Sequence, residues 1–255
     1  MIDIEKINQN LLEVKFPPMI CYKHPLLNLV FYPHQKCGSS TYRVLFQELG
    51  WLVIDIANID WNKDKVFAHI RDPLVRHRKG IVEGICNYFT EFADIFKDPL
   101  AAKFLTNVTI VESHSYTIER WLGRDRAILV NWIPIDTSLN HTKETFNFLK
   151  VNGAPVSTEI KQWFNDLLRM NESTPDKLLL YNMLMAEPTP GEILRYIDFD
   201  RCLYAEVLNF YGFEPHNYQG RVEQLKNNGL PELEAQMLAD QEVASGEYLK
   251  WNFNA

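Results

Sequence analysis

Residues 27–47 read LNLVFYPHQKCGSSTYRVLFQ, and the order of residue types within them decides the fold. An apolar run (Leu27, Leu29, Val30, Phe31, Tyr32) stops at Pro33. A compact polar loop follows from His34 to Ser40, and then an amphipathic segment sets Val44, Leu45 and Leu49 on one side. That order predicts a buried strand, a tight loop and a helix. Such a loop aims successive backbone N–H groups, a helix N-terminus and a lysine ammonium at one small volume, and this combination holds phosphate-like anions. Gly38 lets the backbone come close, Ser39, Ser40 and Thr41 add hydroxyl donors, Lys36 brings a mobile positive charge, and Cys37 reads as a small loop residue. Anion binding is the first expectation.

A second junction of the same kind lies at residues 65–80, KVFAHIRDPLVRHRKG. The apolar strand Val66–Ile70 runs into Arg71-Asp72-Pro73, and proline suits the first turn of the helix that follows. The nucleotide-kinase signature, GxxxxGK[ST], does not describe the first loop, because lysine there precedes the glycine instead of following it. Lys-x-Gly-Ser-Ser-Thr instead resembles the 5′-phosphosulfate loop of sulfotransferases that use 3′-phosphoadenosine 5′-phosphosulfate (PAPS). The second segment resembles that family's 3′-phosphate segment, R-D-P-x-x-R-x-x-S-G, at Arg71, Asp72, Pro73, Arg76 and Gly80. It departs at one position, where Lys79 replaces the usual serine; a lysine also binds phosphate, as a point charge.

Fainter likenesses continue to residue 213, closest in character to carbohydrate sulfotransferases. Val108–Val111 followed by ESHS resembles a strand with a loop histidine, His114. RAILVNWIPID (126–136) resembles a strand ending near an acidic residue, Asp136. EILRYIDFDRCLYAEVLNFYGF (192–213) resembles a late helix with Asp200 ahead of Leu203-Tyr204.

The resemblance implies an α/β fold, a P-loop-like parallel sheet flanked by helices with a mostly helical C-terminal half. The implied activity is transfer of a sulfuryl group from PAPS to a hydroxyl or amine of a small-molecule or carbohydrate acceptor, without a metal. Lys36 would stabilise the leaving oxygen, helped by loop N–H groups from Gly38 to Thr41, while Arg71 and Lys79 hold the 3′-phosphate. The cofactor-binding set is then Lys36, Cys37, Gly38, Ser39, Ser40, Thr41, Arg71 and Lys79. The acceptor needs a general base. His69 is the first candidate, since it lies two residues before Arg71 and alternate strand residues share a face; Asp55, Asp60, His114 and His34 follow. The competing functions are an inactive nucleotide-binding or interaction protein on the same fold and a P-loop kinase.

Composition bounds these readings. A chain of 255 residues, 46% hydrophobic, can bury a sizeable core. Its net charge of −7 argues against a global basic field for nucleic acid or an anionic membrane. Positive charge is local instead, with Arg71, Arg76, Arg78 and Lys79 clustered around His77. A highly anionic polysaccharide acceptor would want a broader basic groove. Cys21, Cys37, Cys86 and Cys202 are scattered without metal-ligand spacing and read as free thiols of a reducing compartment. Residues 1–20 contain no long apolar run, so the expectation is a cytoplasmic enzyme with no membrane span. Eukaryotic carbohydrate sulfotransferases are usually Golgi-anchored by an N-terminal span, so the resemblance implies a microbial or viral enzyme or one trimmed from a longer chain.

Further expectations concern organisation. Trp51–Ile56 and Val66–Ile70 read as the second and third strands, and Val108–Val111 and Ala127–Ile133 as the remaining ones. Leu74–Phe96 reads as one long helix or two broken near Gly80 or Gly84. Asp98-Pro99 opens a short helix, and from Asn140 onward the pattern is almost wholly helical, with turns near Gly153-Ala154-Pro155, Ser173-Thr174-Pro175 and Glu187–Gly191. Strands alternating with helices imply a parallel sheet. Residues 1–216 form the α/β domain and 217–255 a helical appendage or tail.

Overall fold

The computed structural model describes residues 19–88, 99–110, 113–135, 141–170, 174–212, 218–227 and 229–244. Expectations about Val111, Glu112, Asp136 and the ends of the Leu74–Phe96 and 217–255 segments fall outside these residues.

The core is a five-stranded sheet flanked by helices on both faces. Its strands are β1 (Ile20–Lys23), β2 (Leu29–Tyr32), β3 (Leu52–Asp55), β4 (Lys65–Ile70) and β5 (Asn131–Pro134), in the order β3-β1-β2-β4-β5. The sheet is mixed. β2, β4 and β5 are parallel, as expected, but β1 runs antiparallel to both β2 and β3. Sequence reasoning missed β1 and with it both antiparallel pairings; β3 runs in the same direction as β2 but is joined to it only through β1. ICYK is four residues long, and a short apolar run carries no information on strand direction. Two further strand assignments are corrected. Residues 108–110 form no strand, and the fifth strand begins only at Asn131, because Arg124–Ala127 is a helical turn.

Alternation along the strands divides the core into two layers. Leu29, Phe31 and Phe67 pack with Tyr42, Leu45 and Phe46 of α1 (Ser39–Glu48), and with residues of α6 (His141–Val151) and α7 (Thr158–Met170). Phe31 and Phe46 lie 4.5 Å apart at the centre of this aromatic layer. The buried stripe of α1 is thus Tyr42, Leu45 and Phe46, while Val44, expected inside, is exposed. Val30, Tyr32, Val66, Ala68 and Ile70 face the opposite side. There they meet α4 (Ile118–Leu122), α5 (Arg124–Ala127) and α10 (Asp198–Phe210).

The second junction opens α2 (Pro73–Tyr88), which runs unbroken through Gly80 and Gly84. Asp72 caps it by accepting the Val75 N–H at 2.9 Å, with Pro73 in the first turn. Along its length α2 is tied to Thr106, Thr109 and Tyr116. Arg78 Nη1 donates to the Thr106 carbonyl at 2.9 Å, His77 Nε2 to the Thr109 carbonyl at 2.8 Å, and Arg76 Nη1 to the Tyr116 carbonyl at 2.6 Å. Arg76 also pairs with Asp200 at 2.9 Å, and both are buried. Asp200 accepts the Ile118 N–H as well and so fixes the start of α4. The basic cluster around His77 is therefore largely internal. Arg76, His77 and Arg78 bind main-chain carbonyls and a buried carboxylate, while Lys79 of the RHRK run lines a cavity.

The helical layer beyond α2 contains α3 (Pro99–Leu105), α8 (Pro175–Ala186) and α9 (Gly191–Tyr196). Ile81, Val82 and Ile85 meet Leu105, Leu180 and Leu184 there. The last two helices, α11 (Tyr218–Asn227) and α12 (Glu232–Ala244), bury Val222, Leu225, Ala235 and Ala239 against one another. All four cysteines are free thiols, and no described helix is long and apolar enough to cross a membrane.

Candidate functional site

β2 and β4 are adjacent and parallel, in register from Leu29 opposite Lys65 to Tyr32 opposite Ala68. Their C-terminal ends therefore open on one edge of the sheet, and the two loops read from the sequence emerge side by side, where ligands bind in open α/β sheets. A cavity of about 440 Å³ lies there, within the size range of small-molecule sites. Lys36, Gly38, Ser39 and Ser40 from the first loop line it, together with Arg71, Lys79 and His114.

The first loop has a backbone suited to anions. Lys36 has φ 61° and Gly38 φ 74°, so two residues of the tight turn adopt the left-handed region, and α1 begins directly after Gly38. For Lys36 this conformation is uncommon in a non-glycine residue. It is held from the second junction, where Arg71 Nη1 donates to the Lys36 carbonyl at 2.8 Å. No acidic side chain occupies the first turn of α1, so the positive end of the helix is not neutralised from within it.

Among the described residues, four cationic side chains border the cavity: Lys36, Arg71, Lys79 and Lys177. Among the described residues one carboxylate, Glu83, stands with them, so the described lining carries an excess of three positive charges in a chain whose net charge is −7. Glu83 Oε2 lies 3.0 Å from Lys36 Nζ and 2.8 Å from Lys177 Nζ. Burial alone would raise the Glu83 pKa; the hydrogen bond from Lys177 and the charge of Lys36 overcome this and hold it at about 2. The Lys79 ammonium lies 5.5 Å from the centre of the Tyr181 ring, within cation–π range.

Sequence reasoning did not find Glu83, Lys177, Tyr181, Val82, Thr174 or Leu178, which also line the cavity. A signal was present in part. Lys79 and Glu83, and likewise Lys177 and Tyr181, are four residues apart and share helix faces. Nothing in the sequence relates α2 to α8, whose Glu83–Lys177 contact spans 94 residues.

Cys37 and Thr41 of the expected binding set are buried and do not line the cavity. The structure places the expected base His69 in the core, away from the cavity lining. β4 ends at Ile70, so strand alternation does not extend to Arg71, and His69 shares the aromatic face with Phe67. It is 1% exposed, 3.9 Å from the Tyr42 ring, with Nε2 2.8 Å from Thr145 Oγ1. Burial pushes its pKa well below the usual histidine range, so it is a neutral packing residue. His34 is likewise buried, stacked on Tyr32. Asp55 caps the short turn after β3, accepting the Ala57 N–H, and Asp60 pairs with Lys63 at 3.2 Å; neither lines the cavity. Of the base candidates, His114 is the one at the cavity wall. Its position depends on Gly80, since α2 approaches so closely that a Cβ at Gly80 would lie 2.3 Å from the His114 carbonyl oxygen.

No protein-family model, no curated protein and no solved structure matches the chain.

Proposed function

We propose that this chain is a sulfotransferase that binds PAPS in the cavity between α2, α8 and the two strand-to-helix junctions. The observation that carries the reading is the convergence of Lys36, Gly38, Ser39 and Ser40 with Arg71 and Lys79 around one volume. The residues fit the donor: its two anionic ends call for two cationic groups, and the lining offers the helix N-terminus with Lys36 for one and Arg71 with Lys79 for the other. The P-loop-like character of the first junction lies in this backbone-plus-lysine anion cradle, although the lysine stands before the glycine.

Sulfuryl transfer forms a bond from the acceptor oxygen or nitrogen to sulfur and breaks the bond from sulfur to the bridging oxygen. That electron pair stays on the 5′-phosphate of the departing 3′,5′-ADP. Lys36 offers positive charge where this oxygen becomes anionic, which is where preorganised charge accelerates most. The acceptor's proton needs a base within hydrogen-bond reach, and His114 is the histidine on the wall. Val82, Leu178 and Tyr181 give the cavity an apolar side that suits a small acceptor better than a polyanionic chain.

Calorimetry with 3′,5′-ADP and 5′-AMP in the absence of magnesium tests the proposal. Charge-assisted contacts to a phosphate contribute about 1.5–3 kcal/mol each, so 3′,5′-ADP should bind at least about tenfold more tightly. Equal affinities would overturn the assignment of Arg71 and Lys79. Binding that instead requires ATP with magnesium would identify a kinase.

A further inference from the structure

We propose that Glu83 is a positioning residue for Lys36, and that an anionic ligand enters by taking Lys36 from Glu83 while Lys177 retains the carboxylate. This inference rests on reading the cavity as an anion site.

Both lysines meet the same oxygen of Glu83, Lys36 at 3.0 Å and Lys177 at 2.8 Å. They approach from different elements, Lys36 from the loop after β2 and Lys177 from the first turns of α8, with Glu83 between them on α2. The loop backbone at Lys36 is fixed separately, through Arg71 and the Lys36 carbonyl. The ammonium can therefore change partner by side-chain rotation alone. The carboxylate is charged at all ordinary pH values, because the two lysines hold its pKa at about 2.

The arrangement decides what leaving costs. A half-buried carboxylate stripped of its only cation, beside an arriving anion, would suffer both desolvation and like-charge repulsion. With Lys177 still bound at 2.8 Å, Glu83 remains paired, and the departure of Lys36 becomes an exchange of one anionic partner for another. The exchange also selects. A ligand must outcompete a carboxylate for Lys36, which favours multiply charged phosphates and phosphosulfates over neutral hydroxyl compounds. Arg71 and Lys79, on the same wall, add to the attraction only for ligands long enough to reach them.

The test is calorimetry with 3′,5′-ADP and with inorganic pyrophosphate on four proteins: wild type, Glu83→Gln, Lys177→Met and the double variant. Glu83→Gln should bind both anions about tenfold more tightly, within the usual range of site coupling. A gain in affinity is an effect that mere structural damage does not produce. Lys177→Met should weaken binding in the wild-type background and do so distinctly less beside Glu83→Gln, because Lys177 acts through Glu83. Unchanged or weaker binding in Glu83→Gln overturns the proposal, as does an identical Lys177→Met loss in both backgrounds, or no binding of either anion to any of the four. Glu83→Ala gives the same reading should the glutamine variant fail to fold. If pyrophosphate tightens as expected while 3′,5′-ADP binds no better than 5′-AMP, the positioning role stands and the PAPS reading falls. If 3′,5′-ADP is preferred but Glu83→Gln leaves its affinity unchanged, the reverse holds.

Discussion

Replacing Gly80 with alanine sets two effects of opposite sign against each other. In the interior of α2 alanine is the better helix former, by about 1 kcal/mol. Packing opposes it. The new methyl carbon would lie 2.3 Å from the His114 carbonyl oxygen, 2.7 Å from the His114 carbonyl carbon and 2.9 Å from Ser115 Cα. Carbon–oxygen contacts settle near 3.3–3.6 Å, so the helix and the 113–115 turn must part by about 1 Å. All three neighbours are main-chain atoms, and the turn is anchored by the 2.6 Å bond from Arg76 to the Tyr116 carbonyl. Overpacking costs about 1–3 kcal/mol, and immovable neighbours put this site at the upper end. The net expectation is a loss of about 2 kcal/mol, or roughly 4–8 °C in Tm for a chain of this size. Urea unfolding of Gly80→Ala beside Gly191→Ala measures it. A Cβ at Gly191 meets nothing within 4 Å, so that variant should be neutral or slightly stabilised. A Gly80→Ala protein as stable as wild type would refute the close approach and, with it, the placement of His114.

Asp200→Asn should cost about 3–5 kcal/mol in urea unfolding, because it leaves the buried Arg76 guanidinium without a counter-charge; a loss below about 1 kcal/mol would show that the pair is not internal. His69→Ala should lower stability by about 2 kcal/mol or more, through loss of the Tyr42 contact and the Thr145 hydrogen bond. Its 3′,5′-ADP affinity should stay within a few-fold, and a large affinity loss at unchanged Tm would return His69 to the site. His114→Ala should show the opposite pattern, with turnover down by about 10²–10⁴ and Tm nearly unchanged; retained turnover would remove His114 as the base.

The two strand-loop-helix junctions were legible because each is punctuated by residues with one local meaning: Pro33 ending a strand, Gly38 in a left-handed turn, and Pro73 opening a helix behind Asp72. Their juxtaposition followed once β2 and β4 proved to be parallel neighbours. What escaped the sequence is relational. The antiparallel edge formed by β1 and β3 could not be read from two short apolar runs. The run RHRK reads as a local cluster of positive charge, yet three of its side chains turn inward, because the carbonyls of Thr106, Thr109 and Tyr116 and the carboxylate of Asp200 wait there. Strand alternation misled for His69 because it was applied one residue past the end of β4. Glu83 and Lys177 look like ordinary surface charges until α8 is laid over α2.

The bond from the Arg71 guanidinium to the Lys36 carbonyl works as a rivet between the two junctions. One side of it is a side chain just past the end of β4, the other the main chain beyond β2, and the strands behind them are hydrogen-bonded neighbours. The first loop therefore cannot shift without breaking that bond or carrying Arg71 with it. Lysine at position 71 would keep the charge but lose the planar fork of donors. On the proposed reading, the arginine would hold the anion loop in shape in addition to contributing its charge.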